Sequence, residues 1–149
     1  MALFQAFDIA ASGLTAQRFR MDVIAENIAN VNTTRDEDGE TYRRKVVTFE
    51  EKNLRPMSFK DTLDYISSYK GNGVKVTKVT RDYESDLIME YDPSHPDADE
   101  NGYVSYPNVN TVTEMTNLID ATRGYQANVT VFGALKEVAS QGISIGSGG

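Results

Sequence analysis

One acidic segment has the residue types and spacing of the start of a calcium-binding loop. Asp97, Asp99, Asn101 and Gly102 fit the pattern D-x-D-x-N-G, in which oxygens at alternate positions bind the ion and glycine makes the sharp turn. The twelfth position of such a loop is a bidentate glutamate, whereas here it is Asn108. Without that carboxylate, and without predicted helices on both sides, we interpret the segment as an acidic turn and predict no metal site.

Few other residues have the chemistry needed for catalysis. The chain contains one histidine, His95, and no cysteine, so the usual zinc sites and thiolate chemistry cannot be assembled from it. His95 lies between Pro93 and Pro96 and is predicted to be a loop residue. The carboxylates of Asp97 and Asp99 have no pocket-forming pattern around them. We therefore predict a protein that is not an enzyme and that has no cofactor and no small-molecule substrate.

The length and the net charge exclude further classes. A chain of 149 residues is sized for one ordinary domain. Its net charge of −7 gives no general attraction to nucleic acids or to anionic membranes. No apolar run reaches the roughly 18 residues that a membrane-spanning helix needs. The first residues have neither a basic region nor an uninterrupted apolar core, so we predict no cleaved secretory signal peptide.

The charged side chains are concentrated in the middle of the chain. Of the charged residues, 27 lie among the 68 residues from Arg35 to Gly102, and only ten lie in the two ends. The ends contain Asn, Gln, Ser, Thr and Ala instead, which tolerate burial when they are hydrogen-bonded. A helix with one face in water normally carries charge on that face. This distribution favours ends that are buried between several chains, not within one monomer.

The first segment is predicted to be a helix from about Leu3 to Val31. Its apolar residues recur with the spacing of heptad positions a and d, which is typical of a coiled coil. At 1.5 Å per residue the helix would be about 40 Å long, so part of it should project from a domain of this size. The stripe consists of Phe7, Ala10, Leu14, Gln17, Met21, Ile24, Ile28 and Val31.

A second helix is predicted from Val109 to about Ser140, with Asn108 or Asn110 as its N-cap. Gly133 within it indicates the close approach of a neighbouring backbone. The last eight residues contain four Gly and two Ser, which predicts a flexible tail. The apolar stripe of this helix consists of Val112, Met115, Leu118, Ile119, Thr122, Tyr125, Gln126, Val129, Phe132, Leu135 and Val138.

The middle of the chain contains four strand-like runs rich in β-branched and aromatic residues. They are Lys45 to Phe49, Val74 to Val79, Leu87 to Tyr91 and Tyr103 to Tyr106. The basic residues Arg43, Arg44 and Lys45 are predicted to form a solvated strand edge. The predicted fold class is α+β: long N- and C-terminal helices pair as an antiparallel coiled-coil-like unit around a small β-rich middle module. The predicted divisions are 1–34 (helix), 35–107 (β-rich module, interrupted near 58–72), 108–141 (helix) and 142–149 (flexible tail).

Two groups of motifs resemble the bacterial flagellar basal-body rod proteins. The first runs from Ala11 to Arg18, includes Asp22, and continues from Asn27 to Thr33. The second lies in the closing part of the middle module and in the C-terminal helix. It comprises Tyr91-Asp92-Pro93, His95-Pro96-Asp97-Ala98, Gly102-Tyr103-Val104, Pro107-Asn108-Val109-Asn110, Glu114-Met115 and Arg123-Gly124-Tyr125-Gln126-Ala127-Asn128.

This resemblance implies a structural subunit of the flagellar axle that polymerises helically and transmits torque. It implies terminal helices in the inner layer, self and other rod subunits as partners, and export by the flagellar type III apparatus to a rod that crosses the periplasm. From the stripes and the motifs we expect one set of residues to lie at subunit interfaces. The set is Phe7, Leu14, Gln17, Met21, Ile24, Asn27, Ile28, Asn30, Val31, Asn32, Val112, Met115, Ile119, Arg123, Tyr125, Gln126, Asn128 and Val129.

A rival interpretation is a cytoplasmic adaptor that dimerises through a coiled coil or in response to calcium. The two interpretations differ in what calcium should do to the free chain. A large gain of helical circular dichroism on calcium addition would favour the adaptor, and no gain would weaken it.

Overall fold

The computed structural model describes residues 2–36, 39–52 and 71–147. Along the chain, one helix precedes and one helix follows four strands, which confirms the predicted α+β class. The predicted interruption at 58–72 lies outside the described residues except for its last two positions. In chain order the elements are α1 (Ala2–Ala29), β1 (Lys45–Glu51), β2 (Val74–Arg81), β3 (Ile88–Tyr91), β4 (Tyr103–Tyr106) and α2 (Thr111–Ser147).

The two helices pack against each other in opposite directions. Near the start of α1, the ring of Phe7 meets the ring of Phe132 edge to face, with centroids 5.0 Å apart. Near the end of α1, Asn27 donates a hydrogen bond to Glu114 in the first turns of α2. Because α2 has 37 residues and α1 has 28, α2 extends past the N-terminus of α1.

Helix α2 is longer than the sequence indicated. It continues to Ser147, beyond the predicted end at 141, through Gly142 and Gly146. Each glycine costs about 1 kcal/mol of helix propensity, but extending an existing helix avoids the cost of nucleation. Glycine content alone was therefore a poor indicator of where this helix stops.

The four predicted strands are confirmed and form two separate antiparallel pairs within the described residues. β1 pairs with β2, with Val47 opposite Val79, and the register shifts between Thr48 and Phe49. β3 pairs with β4, with Ile88 opposite Tyr106. No helix of the described chain is long and apolar enough to cross a membrane.

The buried apolar core is small, and most of its residues lie on the two helices. Its residues are Ala10, Ala16, Val23, Ile24, Tyr42, Val104, Val109 and Ala121. Three of the eight are alanines, so the helix backbones approach closely at these positions. The predicted close approach at Gly133 is wrong, because a Cβ there would meet nothing within 4 Å. It occurs instead at Gly13 and Gly124, described below.

Candidate assembly surfaces

The amide of Asn27 joins the end of α1 to the start of β1. Its Oδ1 accepts hydrogen bonds from the Tyr42 hydroxyl at 2.9 Å and from the Lys45 N–H at 2.8 Å. Its Nδ2 donates to the Lys45 carbonyl at 2.9 Å and to Oε2 of Glu114 at 3.0 Å. The residue is only 1% exposed, and its amide binds both backbone groups of Lys45 as a neighbouring strand would.

Glu114 brings a buried negative charge to the same place. It is 1% exposed, and its Oε1 accepts from Nε and NH2 of Arg44, each at 2.8 Å. Asn117 also donates to Oε1 at 3.3 Å, and Asn27 donates to Oε2. A buried carboxylate is tolerated when a cation and several donors surround it. This group, which we call the polar cluster (Asn27, Tyr42, Arg44, Lys45, Glu114), ties α1, β1 and α2 together.

The predicted solvated strand edge at Arg43, Arg44 and Lys45 is therefore wrong in its detail. Arg44 pairs with Glu114, and the Lys45 ammonium pairs with the carboxylate of Glu26. The Arg43 guanidinium lies 4.9 Å from the centre of the Tyr83 ring. The sequence offered one signal for this cluster that we did not use: Glu114 is a charged residue in a segment that has few charges.

The environment of the polar cluster changes the acidity of Tyr42. Burial, and then the negative charges of Glu26 and Glu114, raise the pKa of the Tyr42 hydroxyl to about 12. Because the folded state favours the protonated phenol, its contribution to stability is complete below the unfolded pKa of about 10. The contribution is lost as the pH rises from there through the folded pKa.

We expect the protein to lose stability in alkali faster than a Tyr42→Phe variant does. Between about pH 10 and pH 12 the free energy of unfolding should fall by roughly 1.4 kcal/mol per pH unit more in the parent than in the variant. Urea denaturation across this range measures the difference. Tyr83→Phe is the control, because Tyr83 is exposed and lies outside the polar cluster. Parallel pH curves for the parent and Tyr42→Phe would contradict the expectation.

Two glycines let amide side chains sit directly on the opposing helix. A Cβ at Gly13 would lie 2.6 Å from Oδ1 of Asn128, and a Cβ at Gly124 would lie 3.2 Å from Cδ of Gln17. Each helix thus contributes one glycine and, four residues later, one amide. The Oε1 of Gln17 is buried with no hydrogen-bond partner among the described residues. The contact is close but polar, and we expect it to be weaker than a seam of large apolar side chains.

Gly13→Ala should be about 1–3 kcal/mol less stable than Gly133→Ala, because both gain helix propensity but only at Gly13 would the added methyl group overlap the Asn128 amide. Gly133→Ala provides the matched control in the other helix, where nothing lies within 4 Å of the new Cβ. That variant should gain up to about 1 kcal/mol from helix propensity. Chemical denaturation of the two purified variants tests the pair. Equal stability changes would mean that the helices do not approach at Gly13 as described.

The acidic segment forms a turn, in agreement with our interpretation. Oδ1 of Asp99 accepts the backbone N–H groups of Asn101 and Tyr103, each at 2.8 Å. Asp97 accepts a hydrogen bond from the Thr34 hydroxyl at 2.8 Å and lies 3.4 Å from the Arg35 guanidinium. These contacts hold the turn against the chain that leaves α1. The carboxylates therefore have a structural use that requires no ion.

The predicted interface residues separate into four groups. Ile24 and Asn27 are buried within the chain itself, so in this fold they are not available to another subunit. Phe7, Gln17, Met21 and Asn128 contact the opposite helix of the same chain. Leu14, Ile28, Asn30, Val31 and Tyr125 are half-buried, while Asn32, Val112, Met115, Ile119, Arg123, Gln126 and Val129 are exposed.

One face of α2 exposes apolar side chains with helical spacing. Val112 is 75% exposed, Met115 53% and Ile119 54%, and the three lie at positions i, i+3 and i+7 of one stripe. We call them the outer stripe of α2. Further along the helix, Val138, Ile143 and Ile145 are also exposed. Contiguous exposed apolar surface of this kind is typical of a protein interaction site.

Comparison with known proteins identifies the family. The family model described as flagella basal body rod protein matches residues 7–35, and the one described as flagellar basal body rod FlgEFG protein C-terminal matches residues 100–145. The flagellar basal-body rod protein FlgC of Bacillus subtilis is 44% identical, with 98% of this chain and 99% of the relative covered.

Two further relatives with the same name are similar in extent. The FlgC protein of Borreliella burgdorferi is 43% identical over 97% of this chain and 98% of its own. That of Salmonella typhimurium is 38% identical over 98% of this chain and 99% of its own. The ranges that the two family models match include the α1 contacts and the start of α2 with its outer stripe. The resemblance seen in the motifs is confirmed, and the chain belongs to the FlgC family of flagellar basal-body rod proteins.

Proposed function

We propose that this chain is a structural, non-enzymatic subunit of the proximal flagellar rod that polymerises helically through its terminal helices and transmits torque. The observation that carries the proposal is the outer stripe of α2. Its three side chains, Val112, Met115 and Ile119, face away from α1 and are more than half exposed. They lie in a helix that has few charged residues. Another subunit is the partner that would remove this surface from water.

The energetics favour burial of this surface in an assembly. Apolar surface gains about 25 cal/mol for each Å² removed from water. Within the chain, part of the helix contact uses alanine, glycine and amide side chains, as at Gly13 and Asn128, beside apolar contacts such as that of Phe7 with Phe132. In the rod, the same helices would lose water on their outer faces too and would gain order together. We propose that α1 and α2 then pair as an antiparallel coiled-coil-like unit.

A helix contact made partly of glycine and amide side chains also suits a chain that is exported unfolded. We propose that the chain leaves the cytoplasm through the flagellar type III export apparatus, in an unfolded state and without a cleaved signal peptide. It would then take its place in the rod across the periplasm, with self and other rod subunits as partners. A calcium-dependent adaptor is not proposed, because Asp97 and Asp99 hold a turn through contacts with Thr34, Arg35 and the backbone.

Cysteine labelling tests burial of the outer stripe directly, because the chain has no native cysteine. An Ile119→Cys variant should react readily with a maleimide as the purified chain and should be strongly protected in isolated basal bodies. Thr48→Cys, at an exposed position of β1, is a second label for the middle module, which we expect to face outward and to react in both states. Equal labelling of Ile119→Cys in the free and assembled states would overturn the proposal.

A further inference from the structure

The segments that contain the two small sheets of the middle module carry opposite charge. The segments that contain β1 and β2, residues 43–52 and 74–81, hold seven Lys or Arg and two Glu. The segment that contains β3 and β4, residues 82–106, holds eight Asp or Glu and no Lys or Arg. All of these acidic residues except Glu90 lie in the turns beside the two strands, so the chain presents a basic segment and an acidic one.

The basic segment borders a groove of about 280 Å³ between α1, β1 and the start of α2. Apolar walls come from Val23, Val47 and Phe49, and the cationic side chains of Arg20, Arg44 and Lys45 line the groove together with Glu114 and Asn117. Glu114 and Glu26 neutralise Arg44 and Lys45. Arg20 forms no ion pair with any residue in the part of the chain described here. This site, which we call the cationic groove, thus combines apolar surface with one uncompensated positive charge.

The acidic segment complements the cationic groove in charge and in polarity. We call residues 88–106, which contain β3, β4 and the turn between them, the acidic hairpin. On one face Met89, Tyr91 and Tyr103 are exposed, and the rings of Tyr91 and Tyr103 stack edge to face at 5.3 Å. Glu100, in the turn, is exposed and forms no ion pair within the described chain, whereas Glu90 is opposite Val104 and lies on the other face.

Local hydrogen bonds keep part of this acidic segment ionised. The Ser94 hydroxyl and backbone N–H lower the pKa of Asp92. The backbone N–H and hydroxyl of Ser85 lower that of Asp82, just before the hairpin. Aromatic side chains flanked by carboxylates are suited to a groove with apolar walls and a cationic rim, since such surfaces complement each other in polarity and charge.

We propose that the acidic hairpin of one subunit docks in the cationic groove of a second copy of this chain in the assembled rod. The inference rests on the proposed function and names one contact within it. The two surfaces are different patches of the same molecule, so the contact is heterologous. Heterologous contacts that do not close into a ring generate open helical arrays, which is the symmetry that a rod requires.

Cross-linking tests the juxtaposition. A Val47→Cys and Tyr91→Cys double variant places one thiol in the groove and one on the hairpin of every copy. Oxidation of isolated basal bodies should yield a ladder of dimers and longer species, whereas Val47→Cys alone should yield dimers at background level and nothing longer. A double variant that incorporates but gives no ladder, or that cross-links only to a different rod protein, would overturn the inference.

Charge reversal provides a second measurement that does not depend on thiol geometry. Arg20→Glu, and separately Glu100→Lys, should each lower the amount of chain recovered in basal bodies by about tenfold, because like charges would face each other. Combining the two changes in one chain should restore recovery to within about threefold of the parent. Arg18→Glu, on the exposed surface of the same helix, is the matched control and should have little effect.

Recovery that does not fall in the separate variants, or that is not restored in the combination, would contradict the docking. Failure of the docking can be distinguished from failure of the proposed function itself. If only the docking is wrong, Ile119→Cys will still be protected on assembly. If assembly through the helices is wrong, that protection will be absent.

Discussion

Replacing Asn27 with aspartate will lower the free energy of unfolding by about 3–5 kcal/mol at neutral pH, the scale measured when buried charge is left uncompensated. The new carboxylate oxygen would stand where Nδ2 now donates, 3.0 Å from Oε2 of Glu114 and 2.9 Å from the Lys45 carbonyl. Two hydrogen bonds would become contacts between acceptors. One of these contacts would join two buried carboxylates.

The same geometry predicts the pH dependence of the variant. Burial and the neighbouring charge of Glu114 would raise the pKa of the new aspartate above its unfolded value of about 3.9. A group whose pKa is raised on folding stabilises the fold at low pH and loses that effect as the pH rises. The deficit of Asn27→Asp relative to the parent should therefore shrink on acidification, as denaturation curves at neutral and mildly acidic pH will show.

Asn32→Asp is the matched control, because Asn32 lies on the surface just beyond α1. Its replacement should change stability by no more than about 0.5 kcal/mol. If the two variants behave alike, Asn27 does not have the central position described for it. Should Asn27→Asp be too unstable to purify at neutral pH, its recovery in the folded state at acidic pH provides the same test.

The elements of the fold were predictable because each has a strong local signal. The heptad spacing from Phe7 to Val31 and the β-branched runs such as Val74 to Val79 arise from residues near each other in the chain. The polar cluster could not be found in this way. Its members Asn27, Tyr42 and Glu114 are separated by up to 87 positions, and no periodicity connects them.

Periodicity also could not predict which apolar face of a helix would be buried within the chain and which would be exposed. A heptad stripe indicates that one face is apolar but not whether that face meets the same chain or another one. Ile24 lies on the predicted interface and is buried internally, whereas Ile119 lies on it and is exposed. Helix α2 has apolar side chains on two faces, one packed against α1 and one exposed. Only the packing of α1 against one of these faces distinguishes it from the other.

Replacing Ile119 with aspartate should therefore abolish swimming while leaving the isolated chain folded. In the free chain the side chain is 54% exposed, so the change should cost little stability, within about 0.5 kcal/mol of the parent. In the proposed assembly the same carboxylate would be buried against apolar groups of a neighbour without a partner. That burial costs several kcal/mol, and it would recur at every copy in the rod.

Complementation in a strain that lacks the parent gene tests this, with swimming in soft agar and recovery of the chain in basal bodies as the two measurements. Thr113→Asp is the matched control, because Thr113 is exposed on α2 but lies off the outer stripe, and an acidic residue is favourable in the first turn of a helix. Motility should be near normal with Thr113→Asp and absent with Ile119→Asp. Normal swimming with both would show that the outer stripe stays in water in the rod, since a buried, unpaired carboxylate could not be tolerated at each repeat.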